Sequence, residues 1–366
     1  MDQKPIKKTI LIAPLDWGLG HAARCVPIVS ALQSYRIQVM IAADSAVKTM
    51  LKQEFPDVQF IHLPGYKITY SKNKKWFHFN LLLQFPRIIT RIIQEHFWLK
   101  KVVKRYAIDA VISDNRFGLY HAAIPSVYIT HQLRIKTGNF YSENIAAKIH
   151  GWFIKKYSQC WVPDFAGAVN IAGALSHPAT LPQHVKYIGC LSRFKKAVTT
   201  QKDIDLLIIL SGPEPQRTIF ENMLLQQLPG YEGNVFFVRG LPGEEGPALQ
   251  HLEASNKKVV FYNHLTARAL NKAMDAAHLV LSRSGYTTIM DLLKIQQKAV
   301  LVPTPGQAEQ EYLASFLSQQ QIFCTASQEG FLLKDVIGRA NNFAFKFPDN
   351  DMDLYKTIIH QFVETL

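Results

Sequence analysis

KKTILIAPLDWGLGHAARCVPI, residues 7–28, sets an apolar run, two glycines and a second apolar run side by side. ILIAPL has the length and character of a buried strand, and VPIVSALQSY beyond the glycines carries apolar residues at helical spacing. A strand that turns through glycine into a helix is the opening unit of a parallel sheet covered by helices on both faces. The same rhythm continues through IQVMIAA, a helix near Val47 to Lys52, VQFIHLP, IDAVISD and PSVYITH. DLLIILSG, NVFFVRG, KVVFYN, HLVLSRSG and KAVLVPTPG repeat it in the second half. A chain of 366 residues exceeds one ordinary core. The reading is therefore α/β, two doubly wound Rossmann-like domains facing a cleft, 1–196 and 197–366. The division lies in YIGCLSRFKKAVTTQKD (187–203), where apolar periodicity stops. The tail DMDLYKTIIHQFVETL (351–366) is expected to form a helix that packs back on the first domain.

Charge separates the halves further. Residues 1–196 hold 27 Lys+Arg against 10 Asp+Glu, while the rest hold 14 against 18. A basic half meets a polyanion, either nucleic acid or an anionic membrane. No nucleic-acid-binding motif is present, so nucleic acid is not an expected partner, and a non-catalytic polyanion-binding protein is a weaker alternative. Cys25, Cys160, Cys190 and Cys324 are scattered, with no C-x-x-C and no histidine at ligand spacing. They read as reduced core thiols in a cytosolic protein, and no metal site is expected. The first apolar run is too short for a signal peptide, so a cytoplasmic location is the expectation.

Ligands of an open parallel sheet bind beyond the carboxyl ends of the strands, where Gly18 and Gly20 stand. G-L-G-H-A-A also satisfies a dinucleotide pattern, and Asp44 after the second strand suits a ribose hydroxyl. An NAD-dependent Rossmann oxidoreductase is thus a rival reading. His21, directly after the second glycine, argues instead for proton transfer, because an imidazole titrates near neutrality. In the second half, SGPEPQRTIF (211–220) opens a helix with Arg217 in its first turn. SRSGYTTIMDLL (282–293) opens another, with Gly285 at the turn, Thr287 and Thr288 at the helix start and Asp291 one turn on. Helix N-termini with hydroxyl donors suit a diphosphate, and the carboxylate suits a ribose. Each loop alone also reads as an ordinary cap.

SRSGYTTIMDLLKIQQKAVLVPTPGQAEQEYLA (282–314) resembles the nucleotide-sugar signature of GT-B glycosyltransferases, in particular the MurG-like family 28. KKTILIAPLDWGLGHAARCVPI is similar to that family's first glycine-rich loop, and IPSVYITHQ to its later strand ending in His131 and Gln132. YIGCLSR resembles the interdomain strand whose arginine, here Arg193, approaches the diphosphate. VVFYNHL resembles the segment whose backbone reads uracil, here Tyr262 and Asn263. The resemblance implies a UDP-sugar donor in the second domain. Ser211, Gly212, Gly285, Tyr286, Thr287 and Thr288 would lie at the diphosphate, Asp291 at the ribose, and Glu309 with Gln310 at the sugar. Gly18, Gly20, Arg24, Arg116, His131 and Gln132 would lie on the acceptor side. The chain departs from the family in having Asp291 in place of glutamate, Ser211-Gly212-Pro213 in place of Gly-Gly-Ser, and SDNRFG in place of a second glycine-rich loop.

The activity so implied is inverting transfer of a sugar, in the family N-acetylglucosamine, from a UDP-sugar to a lipid-linked or other envelope acceptor. His21 is the first choice of base and Asp114 the second. Arg193, Arg217 and the helix start at Gly285 would carry the leaving charge, with no metal or cofactor. GLGHAARC also resembles a MurG-like UDP-sugar hydrolase of nonulosonate synthesis, in which the same histidine would activate water. The segment YKITYSKNKKWFHFNLLLQFPRIITRIIQEHFWLKKVVKRY (66–106) mixes aromatic residues with Lys72, Lys74, Lys75, Lys100, Lys101 and other cations. That mixture predicts peripheral binding to the anionic inner membrane face.

Overall fold

The computed structural model describes residues 8–66, 77–136, 140–197, 201–241 and 259–366. Two compact units result: Met1–Ser192 with Asn350–Leu366, and Arg193–Asp349. The sequence reading placed the division at 196/197. The units divide earlier because Lys195 belongs with the second, its N–H donating to Asn271 Oδ1 at 2.9 Å while Asn271 Nδ2 donates back to its carbonyl at 3.1 Å.

Among the described residues the first unit holds seven strands: β1 (Thr9–Pro14), β2 (Gln38–Ala43), β3 (Gln59–His62), β4 (Ala110–Asp114), β5 (Ser126–Ile129), β6 (Gln159–Val162) and β7 (Val185–Tyr187). Their order is β3-β2-β1-β4-β5-β6-β7, and every pairing is parallel. All six residues of β1 are buried, as a strand covered on both faces requires. Helices α1 (Leu19–Ser34), α2 (Ser45–Glu54), α3 (Phe77–Tyr106) and α4 (Phe140–Ile154) accompany the sheet. Much of the basic segment is thus one helix, whose Ile92, Leu99 and Val102 are buried. Asp44 does not point to a ribose site, because its carboxylate caps α2 by accepting the Ser45 N–H at 2.7 Å.

Among the described residues the second unit holds six parallel strands in the order β10-β9-β8-β11-β12-β13. These are β8 (Ile204–Ile209), β9 (Val235–Val238), β10 (Val259–Tyr262), β11 (Ala277–Ser282), β12 (Ala299–Leu301) and β13 (Cys324–Thr325). Helices α5 (Gln216–Gln227), α6 (Ala267–Ala276), α7 (Tyr286–Ile295), α8 (Ala308–Gln319) and α9 (Leu333–Asn341) pack around them. Its own core gathers Leu206, Ile208, Phe220, Phe237, Leu281 and Val300. Truncating one such Leu to Ala costs about 2–5 kcal/mol. The last helix, α10 (Leu354–Glu364), returns to the first unit, where Phe362 meets the edge of Trp161 at 5.4 Å and the Tyr35 hydroxyl donates to Lys356 O at 3.2 Å.

In each unit the strand order reverses once. The chain moves outward from β1 to β3 and restarts with β4 on the other side of β1; it repeats the manoeuvre from β8 to β10 and restarts at β11. Loops leaving the two central strands diverge at such a point and open a crevice at their carboxyl ends. Pro14 lies in register with Asp114, and Ile209 with Ser282, so the loops of interest start side by side.

Candidate active site

At the reversal point of the first unit, Gly18 caps α1 with φ 88, a backbone region glycine enters freely. Gly20 lies one residue inside the helix, and His21 follows it. Its Nδ1 lies 2.9 Å from Asp114 Oδ2 and 2.7 Å from Arg24 Nη2. Arg24 Nε donates to both Asp114 oxygens at 2.8 and 2.9 Å, its Nη2 donates to Oδ1, and its Nη1 is 3.4 Å from His131 Nδ1. Histidine 21 keeps 15% of its side chain exposed, whereas Asp114 has none. Asp114 therefore cannot itself meet an acceptor and is not the alternative base. It orients the imidazole, as the carboxylate of a catalytic dyad does. Burial, and after it the Arg24 guanidinium, hold His21 below the usual imidazole value, with Asp114 opposing them. For Asp114, burial acts to raise the carboxyl, yet Arg24 and His21 prevail and hold it below its usual range.

Arg24 and His131 join this cluster from the interior, since they are 2% and 5% exposed. Gln132 lies beside them, its Nε2 3.5 Å from His131 Nε2. Arg116 does not join it. It is wholly buried and donates to the Pro14 carbonyl at 2.8 Å and to Glu95 Oε1 at 2.7 Å, a buried pair that ties α3 to the sheet. Glu95 went unnoticed in the sequence; the signal was a carboxylate inside the apolar stripe Ile92, Leu99, Val102. Asn115 also went unnoticed. It sits between Asp114 and Arg116 with φ 56, a conformation Asn favours more than most residues.

At the reversal point of the second unit, Ser211 and Gly212 follow β8, and Gly212 has φ 102. A Cβ there would meet Thr304 Oγ1 at 3.7 Å. Gly285 caps α7 without a side-chain hydrogen bond, and Thr287 and Thr288 stand half-buried in the first turn. Tyr286 is 4% exposed, and Asp291 is 5% exposed one turn on. Arg193 is half-buried, with its guanidinium 5.4 Å from the Phe194 ring.

Two expectations change here. Arg217 is 6% exposed and bonded to Glu214 at 2.5 Å and Glu221 at 2.8 Å, so its charge is neutralised inside the unit rather than offered to a diphosphate. Gln310 does not reach outward, because its Oε1 accepts the Thr304 N–H at 2.9 Å and its Nε2 donates to Gln307. The carbonyls of Tyr262 and Asn263 accept from the N–H groups of Arg239 and Leu241, both at 2.8 Å. Arg239 was missed: it bridges Glu221 and Asn263 Oδ1, the latter at 2.9 Å. Glu309 stands half-buried in the first turn of α8.

A separate face of the first unit is apolar and basic. Ile93 and Phe97 of α3 and Ile145, Ile149 and Trp152 of α4 are exposed. Lys156 Nζ lies 3.5 Å from the Trp152 ring centre and 4.9 Å from that of Tyr120, which stacks on His96 of α3 at 4.3 Å. Lys72, Lys74 and Lys75 lie outside the described residues. Among those described, no helix is long and apolar enough to cross a membrane, and no cluster of three or more His, Cys, Asp or Glu side chains suits a metal ion.

Residues 237–340 match the glycosyltransferase family 28 C-terminal domain. A UDP-N-acetylglucosamine–N-acetylmuramyl-(pentapeptide) pyrophosphoryl-undecaprenol N-acetylglucosamine transferase of Gloeothece citriformis is 21% identical over 313 residues, 84% of this chain and 78% of that protein. The structure of Acinetobacter baumannii MurG superposes with a TM-score of 0.57 at 14% identity, covering 98% of this chain and all of that one. A putative UDP-N-acetylglucosamine 2-epimerase from Listeria monocytogenes does so with 0.62 at 13% identity, covering 98% and 97%. At such identities the shapes establish the fold and no more, and the sequence matches supply the class. The chain is a MurG-like glycosyltransferase with the GT-B fold of two Rossmann-like domains, and its second unit carries the family 28 C-terminal domain.

Proposed function

We propose that this glycosyltransferase moves a sugar, in the first instance N-acetylglucosamine, from a UDP-sugar to a lipid-linked acceptor at an anionic membrane surface, with inversion. The observation that carries the reading is the His21–Asp114 pair at the reversal point of the first unit, in a chain with a family 28 domain. His21 removes the acceptor hydroxyl's proton, the freed oxygen attacks the anomeric carbon, and UDP leaves. Asp114 stabilises the imidazolium so formed. The N-terminus of α7 at Gly285, with Thr287 and Thr288, and Arg193 receive the developing diphosphate charge, so that no metal or cofactor enters the scheme.

The donor and acceptor follow the names of the relatives, which transfer N-acetylglucosamine to an undecaprenol-linked pyrophosphoryl acceptor. The exposed aromatic and basic face of α3 and α4 supports the membrane. Phe97 and Trp152 suit the headgroup region, and each nearby Lys adds about 1 kcal/mol on anionic lipid. The enzyme would then be a peripheral protein of the cytoplasmic membrane face.

The test is UDP release from UDP-N-acetylglucosamine by the full chain, with and without anionic vesicles carrying a polyprenyl-pyrophosphoryl sugar acceptor. Acceptor-dependent release with an inverted linkage is expected. Sugar released equally fast without acceptor would replace transfer by hydrolysis.

A further inference from the structure

Asn115 follows Asp114 at the carboxyl end of β4. With its amide oxygen toward Arg24, Oδ1 accepts from Arg24 Nη2 at 3.0 Å, while Nδ2 lies 3.2 Å from the Ile129 carbonyl, 3.1 Å from Thr130 Oγ1 and 3.2 Å from Tyr128 Oη. The opposite orientation would set the amide nitrogen against the guanidinium, donor to donor, and the oxygen against the Ile129 carbonyl.

Arg24 Nη2 carries two hydrogens and has three acceptors in reach: Asp114 Oδ1, Asn115 Oδ1 and His21 Nδ1. His21 Nδ1 faces in addition the Asp114 Oδ2 that can only accept. Which neighbour wins fixes the tautomer. If Arg24 donates to Nδ1, the ring proton sits on Nε2, and that nitrogen takes no proton from a substrate. If Asp114 and Asn115 engage both Nη2 hydrogens, Nδ1–H donates to Asp114 and Nε2 keeps its lone pair. Only the second form is a base, and it becomes the Asp114-bound imidazolium without rearrangement.

We infer that Asn115 is a positioning residue that sets the tautomer of His21, by accepting the second Nη2 hydrogen of Arg24 and so leaving the Nδ1 proton to Asp114. The inference rests on the reading of His21 as the base. The tautomer, however, is a property of the resting protein, so its measurement fails or succeeds independently of any transfer assay.

The experiment is long-range proton–nitrogen correlation NMR on the full chain with isotope-labelled histidine, the His21 signals being assigned by their loss in His21→Gln. The wild type is expected as the Nδ1–H tautomer. Asn115→Gly keeps the left-handed backbone accessible but removes the acceptor. It should shift His21 to Nε2–H and lower kcat by up to about 10²-fold at unchanged donor KM. Asn115→Asp loses the amide N–H donors yet still accepts from Arg24, and should retain Nδ1–H. A wild type found as Nε2–H, an Asn115→Gly that stays Nδ1–H, or an Asn115→Asp that switches would each overturn the inference. Should Asn115→Gly fail to fold, Asn115→Ala, which removes the same acceptor, takes its place with the same expected and overturning results.

Discussion

The two units share one topology and furnish its reversal point in opposite ways. In the first, a carboxylate, a guanidinium and two imidazoles are drawn together below the surface, and one imidazole keeps its edge exposed. In the second, a glycine-capped helix start and threonine hydroxyls lie at the crevice, while the charges of Arg217, Glu221 and Arg239 close on one another in the interior. The fold supplies a place; what is done there depends on whether a charge can change or only be received. Moving a proton needs a group that titrates, and holding a leaving diphosphate needs fixed donors that do not.

This division of labour can be broken most directly at His21. His21→Ala should lower kcat by about 10²–10⁴ while UDP affinity by calorimetry is unchanged. A parallel loss of UDP affinity would mean that the two points are not separate in function. Glu221 supplies the converse. Glu221→Ala leaves Arg239 without a carboxylate and Arg217 with Glu214 alone, and should cost about 3 kcal/mol in urea unfolding, with kcat of the folded fraction retained. An unchanged unfolding midpoint would deny the charges of the second unit their structural role.

Acid should weaken the unit that carries the buried imidazoles. His150, buried in α4, is pushed down to about 4 by its burial, below the unfolded value of about 6.5. The unfolded chain therefore binds the proton first. Stability is level above about pH 6.5 and falls toward pH 4, by about 3 kcal/mol from this group. Urea unfolding across that range should show the loss, and a shallower slope in His150→Asn; the same slope in both would remove His150 as its source. The smallest effect is expected at the helix start of the second unit. Thr288→Val should cost about 1 kcal/mol, roughly fivefold in UDP affinity, and leave the pH profile of kcat untouched.

Most strands were legible because a strand covered on both faces must be apolar throughout, and runs such as ILIAPL and DLLIIL meet that demand. β6 went unread, and so did the edge strands β7 and β13, whose three and two residues carry no period. The glycine turn and the start of α7 were legible for a similar reason: local backbone needs select local residue types. The partnership of His21 with Asp114 was hidden, because it depends on β4 adopting the place beside β1 across most of the unit. For the same reason the sequence could not say that Arg24 turns toward Asp114 while Arg116 turns toward Glu95. Nor could it show that Asn115 stands against the first of these.

The return of α10 to the first unit has a consequence for synthesis. The unit that begins first is completed last, because Trp161 awaits Phe362 and Tyr35 awaits Lys356. At ribosomal rates the interval from Trp161 to Phe362 is about 10–40 s. Within it the whole second unit emerges and can fold, since it is a continuous stretch of chain. Meanwhile the α1 surface and the edge of Trp161 lie bare to water and to other nascent chains, so the vulnerable intermediate of this protein is its own N-terminal half.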